Sequence, residues 1–258
     1  MFDVSEVEAA LAGGADIVDV KNPAEGSLGA AAPELLHAVR ARVGGRGLLS
    51  AALGDAPHLP GTLALASAGA AGCGADYVKV GLLGSARPEQ ALALLTAVQR
   101  AAAGTRGGTR VVAVAYADAA RVGALPPAAL PGVAAHAGVH GVMLDTAVKD
   151  GVSTLERLGE SAIASFAAEA LALGLEVALA GSLRAADLAQ AARLGAGIVG
   201  VRGSACEGGR TGRVSAARVR ALREQLDSLA GLAAHGRSDR ESASSCASTA
   251  EAAPTRRA

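Results

Sequence analysis

The chain has 258 residues, 24 basic against 24 acidic side chains, and is 51% hydrophobic and 19% charged. That balance excludes a mainly disordered chain, which lacks the apolar surface to offset its ordering entropy. Zero net charge removes the electrostatic drive toward nucleic acid or an anionic membrane. Three scattered cysteines, Cys73, Cys206 and Cys246, fit neither a disulfide framework nor zinc-ligand spacing, so the expected compartment is the reducing cytoplasm, and nothing asks for a metal or other cofactor. No apolar run approaches the ~20 residues of a membrane span. The opening MFDVSEVEAA has no charged stretch followed by an apolar one, as a signal peptide would.

In chain order the first predicted element is a helix over Val4–Leu11, followed by a strand over Asp16–Lys21 and a helix over Pro33–Arg42. Next come a strand over Gly47–Ala52, a helix over Gly61–Ala71, a strand over Asp76–Val80 and a helix over Pro88–Ala103. Strands follow over Arg110–Ala115, Gly141–Asp145 and Glu176–Ala180, then a helix over Ala185–Arg193 and a last strand over Gly197–Val201. Glycines close several helices just before a strand, as in GGAD (Gly13–Asp16) and GCGAD (Gly72–Asp76), where a left-handed cap is needed. Near-continuous apolar strands alternating with helices indicate a parallel sheet covered on both faces, and a repeat of about 30 residues favours a (β/α)8 TIM-type barrel. Seven strands are predicted where such a barrel has eight, and none precedes the first helix. The expectation is that the first strand is missing from this N-terminus. From Leu232 the composition turns small, polar and aperiodic, so residues 1–231 are expected to form the barrel and 232–258 a disordered tail.

Lysine usage carries the chemistry. Of the 24 basic residues only Lys21, Lys79 and Lys149 are lysines; the other 21 are arginine. Arginine supplies permanent charge, whereas a lysine can become a neutral amine when it is desolvated or set beside another cation. All three lysines fall at or just beyond the carboxyl ends of predicted strands, where the active sites of such barrels are built. Strand alternation puts Asp19 and Lys21 on one face and Val18 and Val20 on the other; likewise Tyr77 with Lys79, and Met143 with Asp145. Amines and carboxylates gathered at one mouth suit imine chemistry; a structural ion-pair cluster is the alternative. Gly181 and Ser182 after one strand, and Gly203 and Ser204 after the next, are residue types that let backbone N–H groups approach a phosphate, as loops at this position of a barrel often do. Their alternative is two tight connections.

Other strand ends are weaker candidates. Tyr116 and Asp118, with Arg121 behind them, either contact substrate or close a loop, and Asp55 caps one. His136 and His140 have i,i+4 spacing but lack the glutamate of a zincin helix, which argues against a metal there.

The segments DVKNPAEGSLGA (Asp19–Ala30), GADYVKVGL (Gly74–Leu82), AYADAARVGA (Ala115–Ala124), LDTAVKDG (Leu144–Gly151), LAGSL (Leu179–Leu183) and IVGVRGSACEGG (Ile198–Gly209) together resemble the (5-formylfuran-3-yl)methyl phosphate synthase family. The resemblance runs in unbroken order from about Asp3 to Leu229. It implies a barrel enzyme that condenses two molecules of glyceraldehyde 3-phosphate into 4-(hydroxymethyl)-2-furaldehyde phosphate, releasing phosphate and water, for methanofuran-type cofactors. It also implies that Lys21 forms the Schiff base, that Lys79 is the proton acceptor, and that Asp19, Asp145 and Lys149 complete the site. Family members open with a short apolar strand that is absent here. The expected partner is a small triose phosphate rather than nucleic acid or membrane, and a homo-oligomer stays open. Two rivals share much of this pattern: another Schiff-base triose-phosphate aldolase, and a phosphosugar-binding barrel without activity.

The tail offers no packing face, so deleting Ala233–Ala258 is expected to leave activity and melting temperature unchanged. A cooperative loss of stability on truncation would show that the segment docks on the barrel.

Overall fold

Seven short apolar runs alternate with Ala- and Leu-rich helices, and they fold into one parallel sheet. The computed structural model describes residues 3–55, 57–105 and 107–229. The predicted tail, its boundary at 231–232 and Cys246 lie outside these. The strands are β1 (Ile17–Val20), β2 (Leu48–Ala52), β3 (Tyr77–Gly81), β4 (Arg110–Tyr116), β5 (Gly141–Asp145), β6 (Glu176–Leu179) and β7 (Ile198–Val199). They lie in sequential order, each parallel to the next. The principal helices are α1 (Val7–Ala12), α2 (Pro33–Val43), α3 (Pro60–Gly72), α4 (Pro88–Ala103), α5 (Ala119–Val122), α6 (Leu130–Ala137), α7 (Thr154–Ala172), α8 (Leu188–Arg193) and α9 (216–229).

Side-chain alternation divides the apolar residues into two layers. Val18, Val20, Val78, Val80, Val142 and Leu144 face outward and pack with Leu36, Val39, Leu94 and Val98 of the helices. The opposite set, Ala52, Tyr77, Val112, Val114, Tyr116, Met143, Ala178 and Ala180, forms a second cluster that Ile17 of β1 and Ile198 of β7 join. Residues from all seven strands can meet in one interior only if the sheet curls upon itself. At the amino end of the strands Arg110 donates to the Tyr77 hydroxyl (3.1 Å) and pairs with Glu176 (2.5 Å).

The α/β class and the strand count agree with the sequence reading, but an eight-stranded closed barrel does not appear among the described residues. β1 and β7 do not pair with each other. β7 is shorter than predicted, because only Ile198 and Val199 find register partners on β6. The helix predicted over Val4–Leu11 is a 3-10 turn (Val4–Glu6) leading into α1, and Ala185–Arg193 divides likewise into a turn (Ala185–Asp187) and α8. A two-residue antiparallel pair, β8 (Cys206–Glu207) with β9 (Arg213–Val214), was not foreseen.

Side chains span the gap between β1 and β7. Arg202, just past β7, forms two hydrogen bonds with Glu6 (2.9 and 3.1 Å), and Glu6 also accepts from the Val214 N–H (3.1 Å). Arg223 of α9 pairs with Asp16 (2.5 Å), and Gly13 leaves no room for a side chain against Val219. Glu6 is only 4% exposed, so removing it strands part of the Arg202 charge in a poorly solvated place. Glu6→Ala is therefore expected to lower unfolding stability by about 3–5 kcal/mol in urea titrations; a change below about 1 kcal/mol would mean that the pair is ornamental to the seam.

Candidate active site

Lys21 just past β1 and Lys149 four residues past β5 lie at strand ends as expected, whereas Lys79 is the middle residue of β3; all three line a cavity of about 1660 Å³, which also includes Asp19, Asp145, Ser182 and Ser204. Alternation explains the delivery: β1 buries Val18 and Val20 against helices and turns Asp19 and Lys21 inward.

Pairing inside the cavity is unequal. Lys79 Nζ donates to Asp19 Oδ2 (2.7 Å), so the partner of Asp19 is the lysine two strands away rather than its neighbour Lys21. Lys149 Nζ donates to Asp145 Oδ1 (2.7 Å) and to Thr146 Oγ1 (3.0 Å), one helical turn's worth of sequence from its carboxylate. Lys21 Nζ has only a neutral acceptor, the Ser27 carbonyl at 3.1 Å, and no ion pair within 4 Å among the described residues. Burial pushes the Lys21 amine below its ordinary value; Asp145 and Asp19 oppose this, and the Lys79 and Lys149 charges add to it. Burial works against ionisation of Asp19 and Asp145, yet the ammonium beside each prevails, Lys79 for Asp19 and Lys149 for Asp145. Lys21 assists both, and both carboxyls are held below the usual carboxylate range.

The loops after β6 and β7 meet. Ser204 Oγ donates to the Leu183 carbonyl (3.0 Å) and joins them. Gly181 has φ +90°, and a side chain there would strike Thr154 Oγ1. Ser182 adopts φ +55°, a left-handed conformation uncommon outside glycine. Among the described residues the N–H groups of Ser182, Leu183, Gly203 and Ser204 meet no protein acceptor, which leaves four donors for an anion.

The weaker candidates bond to the protein's own loops. Asp118 accepts from the N–H groups of Ala147 (2.7 Å) and Val148 (2.9 Å) and so holds the loop that carries Lys149. Arg121 pairs with Asp150, and Asp55 accepts from the Leu28 N–H (2.8 Å) and from the Tyr116 hydroxyl. His140 Nδ1 accepts from the Val111 N–H (3.1 Å), while His136 lies near the Gly132 carbonyl, so the two imidazoles serve their own loops. Sequence reasoning missed Ser27 and Thr146: Ser27 bears the carbonyl that meets Lys21, and its hydroxyl donates to the Thr146 carbonyl (2.9 Å). No local signal marks that contact, because the two residues are 119 positions apart.

The lowered amine carries a stability consequence. With the folded pKa of Lys21 below its unfolded value, the unfolded chain binds more protons in the window between the two, so stability rises with pH there and is lowest below the folded value. Lys21→Met is therefore expected to raise the urea midpoint at pH 7 and to flatten that part of the pH dependence. A lower midpoint would show that the charged amine is net stabilising.

A family model described as 4-HFC-P synthase matches residues 1–223. The (5-formylfuran-3-yl)methyl phosphate synthase of Methanocaldococcus jannaschii is 46% identical, over 86% of this chain and 96% of its own. That of Methanosarcina mazei is 49% identical, over 81% of this chain and 90% of its own. Among solved structures, phosphoribosyl anthranilate isomerase from Thermus thermophilus superposes with a TM-score of 0.58 at 20% identity, covering 89% of this chain and 96% of that one, a likeness of fold alone. The length matched and the identity over it establish that this chain is a member of the 4-HFC-P synthase family of enzymes.

Proposed function

We propose that this chain catalyses the reaction for which its relatives are named, joining two triose phosphates into (5-formylfuran-3-yl)methyl phosphate through an imine on Lys21. The observation that carries the reading is the unequal pairing of the lysines: two are held by carboxylates, and Lys21 faces a neutral carbonyl with its pKa pushed down by burial. The setting we infer is a cytoplasmic pathway toward methanofuran-type cofactors. The catalytic unit is read as residues 1–231, a barrel that an eighth strand between β1 and β7 would close.

The product's carbon skeleton dictates the steps. Its phosphomethyl-bearing ring carbon is the middle carbon of one triose, bonded to the terminal carbon of the other, which has lost its phosphate. One substrate molecule must therefore react as the ketone, reached from glyceraldehyde 3-phosphate by a 1,2-proton shift. The neutral Lys21 amine adds to the aldehyde of the other molecule and water leaves, giving an iminium. Loss of the proton from carbon 2 sends electrons into the iminium, and their return expels phosphate from carbon 3. The resulting enol attacks the ketone carbon through carbon 3 and forms the carbon–carbon bond. The free hydroxymethyl oxygen of the ketone then closes on carbon 2, and two waters depart to leave the furan. Hydrolysis of the iminium consumes the water released when it formed. Two triose phosphates thus give one furan, one phosphate and two waters.

Each side chain has a place in this sequence. Lys79 with Asp19 forms the pair through which the carbon-2 proton passes: as the Lys79 ammonium hands a proton to the Asp19 carboxylate, its nitrogen accepts the one from carbon 2. Lys149 with Asp145 offers a positive charge to the departing phosphate. The free N–H groups at Ser182, Leu183, Gly203 and Ser204 hold the phosphate that is retained.

Borohydride added with glyceraldehyde 3-phosphate is expected to trap substrate on Lys21. Lys21→Arg keeps the charge without a usable neutral amine, so it should abolish both trapping and turnover while the fold persists. Lys79→Arg should still permit trapping but slow turnover by about 10²–10⁴-fold, the usual worth of a general base. Product analysis should find inorganic phosphate and a new near-ultraviolet chromophore rising together. An adduct on Lys79 or Lys149, or full activity in Lys21→Arg, would overturn the assignment; turnover without a furan would indicate a different aldolase.

A further inference from the structure

The segment between β1 and α2 folds into the barrel mouth rather than over the surface. Leu28 is fully buried and joins the interior cluster with Ala52, Val114 and Tyr116. The Asn22 N–H donates to the Gly29 carbonyl (2.9 Å) and closes the base of the loop, and the Gly54 N–H donates to the Leu28 carbonyl (2.9 Å). Ser27 reaches across to the Thr146 carbonyl, and the Leu28 N–H is held by Asp55 Oδ2 (2.8 Å). The other oxygen of Asp55 accepts from the Tyr116 hydroxyl. Glycines make room for this carboxylate: Gly26 (φ +124°) lies against Asp55, and a side chain on Gly81 would strike the Tyr116 hydroxyl. Asp55 thus commits both oxygens to the protein.

We propose that Asp55, backed by Tyr116, is a positioning residue that holds the 22–30 loop over Lys21, so that the Ser27 carbonyl aims the amine into the cavity and the loop keeps water from it. This rests on the imine role of Lys21 given above. The other acceptors within reach of that amine's field, Asp145 and Asp19, are engaged by Lys149 and Lys79. A loosened loop would hydrate Lys21 and remove the burial that is the first cause of its lowered pKa. The four charged groups that face Lys21 from β1, β3 and the end of β5 stay in place when Asp55 is changed, so a shift reports the loop. Its sign is diagnostic. Deleting the negative charge of Asp55 could by itself only lower the pKa of an amine, whereas hydration raises it.

The test is borohydride trapping of glyceraldehyde 3-phosphate as a function of pH, with the adduct located by peptide mass spectrometry, on the full chain and on Asp55→Ala, Asp55→Asn and Tyr116→Phe. Asp55→Ala is expected to move the trapping midpoint to higher pH, with the rate at pH 6 falling about tenfold and the adduct still on Lys21. Asp55→Asn, which keeps an acceptor for the Leu28 N–H, should retain the original midpoint, and Tyr116→Phe should shift it less than Asp55→Ala. An unmoved or lowered midpoint in Asp55→Ala would overturn the proposal, as would Asp55→Asn shifting equally far. If Asp55→Ala does not fold, Tyr116→Phe decides: it lacks one hydroxyl only, and an unmoved midpoint refutes the role. Absence of any Lys21 adduct in the unaltered chain would instead overturn the imine reading itself.

Discussion

Three amines share two carboxylates at the mouth of this sheet, and the account depends on how they are distributed. Asp19 and Asp145 each take one lysine, and the third, Lys21, is left with a carbonyl. Each carboxylate has a lysine nitrogen 2.7 Å away in a poorly solvated cavity and is held below the usual carboxylate range. The same low solvation disfavours charge on the amine that has no such partner. One environment thus yields both paired charges and the amine proposed as nucleophile, because the two carboxylates are one fewer than the three lysines.

The parallel topology makes that distribution possible. Lys79 is two strands from Asp19 in the sheet, and the two meet because the sheet curls and turns alternate side chains inward. Lys149 sits four residues past Asp145, on a loop that Asp118 fixes through two backbone N–H groups. The loops after β6 and β7, proposed to hold a phosphate, lie beside the ion pair of Glu6 and Arg202 that bridges the open seam to β1. Stability of the seam and shape of the loop after β7 are therefore linked through neighbouring residues, since Arg202 immediately precedes Gly203.

Much of this was legible in the sequence because it depends on period and position. Alternation placed Asp19, Lys21, Lys79 and Asp145 on the inner face, and the scarcity of lysine against arginine marked three residues as special. The strand count was right for the same reason: each strand is bounded by helix caps and turn residues that act locally. What the sequence did not reveal depends on distant contacts. That Asp19 would bind Lys79, that Ser27 would meet Thr146, and that Asp55 would join Tyr116 follow from how tightly the sheet curls, and a linear pattern does not carry that curvature. Elements predicted as single helices broke into a 3-10 turn plus a helix where a buried glutamate (Glu6) or an aspartate (Asp187) makes its bonds at the junction.

The central claim is that Lys21 carries an easily neutralised amine in a cavity whose other two lysines are engaged by carboxylates. Site-resolved acylation of the substrate-free protein across a pH series tests it most directly, because only three lysine side chains are present to be labelled. The account predicts that Lys21 begins to react at a pH below that of an ordinary free lysine. Labelling of Lys21 that follows the titration of a free lysine would contradict it.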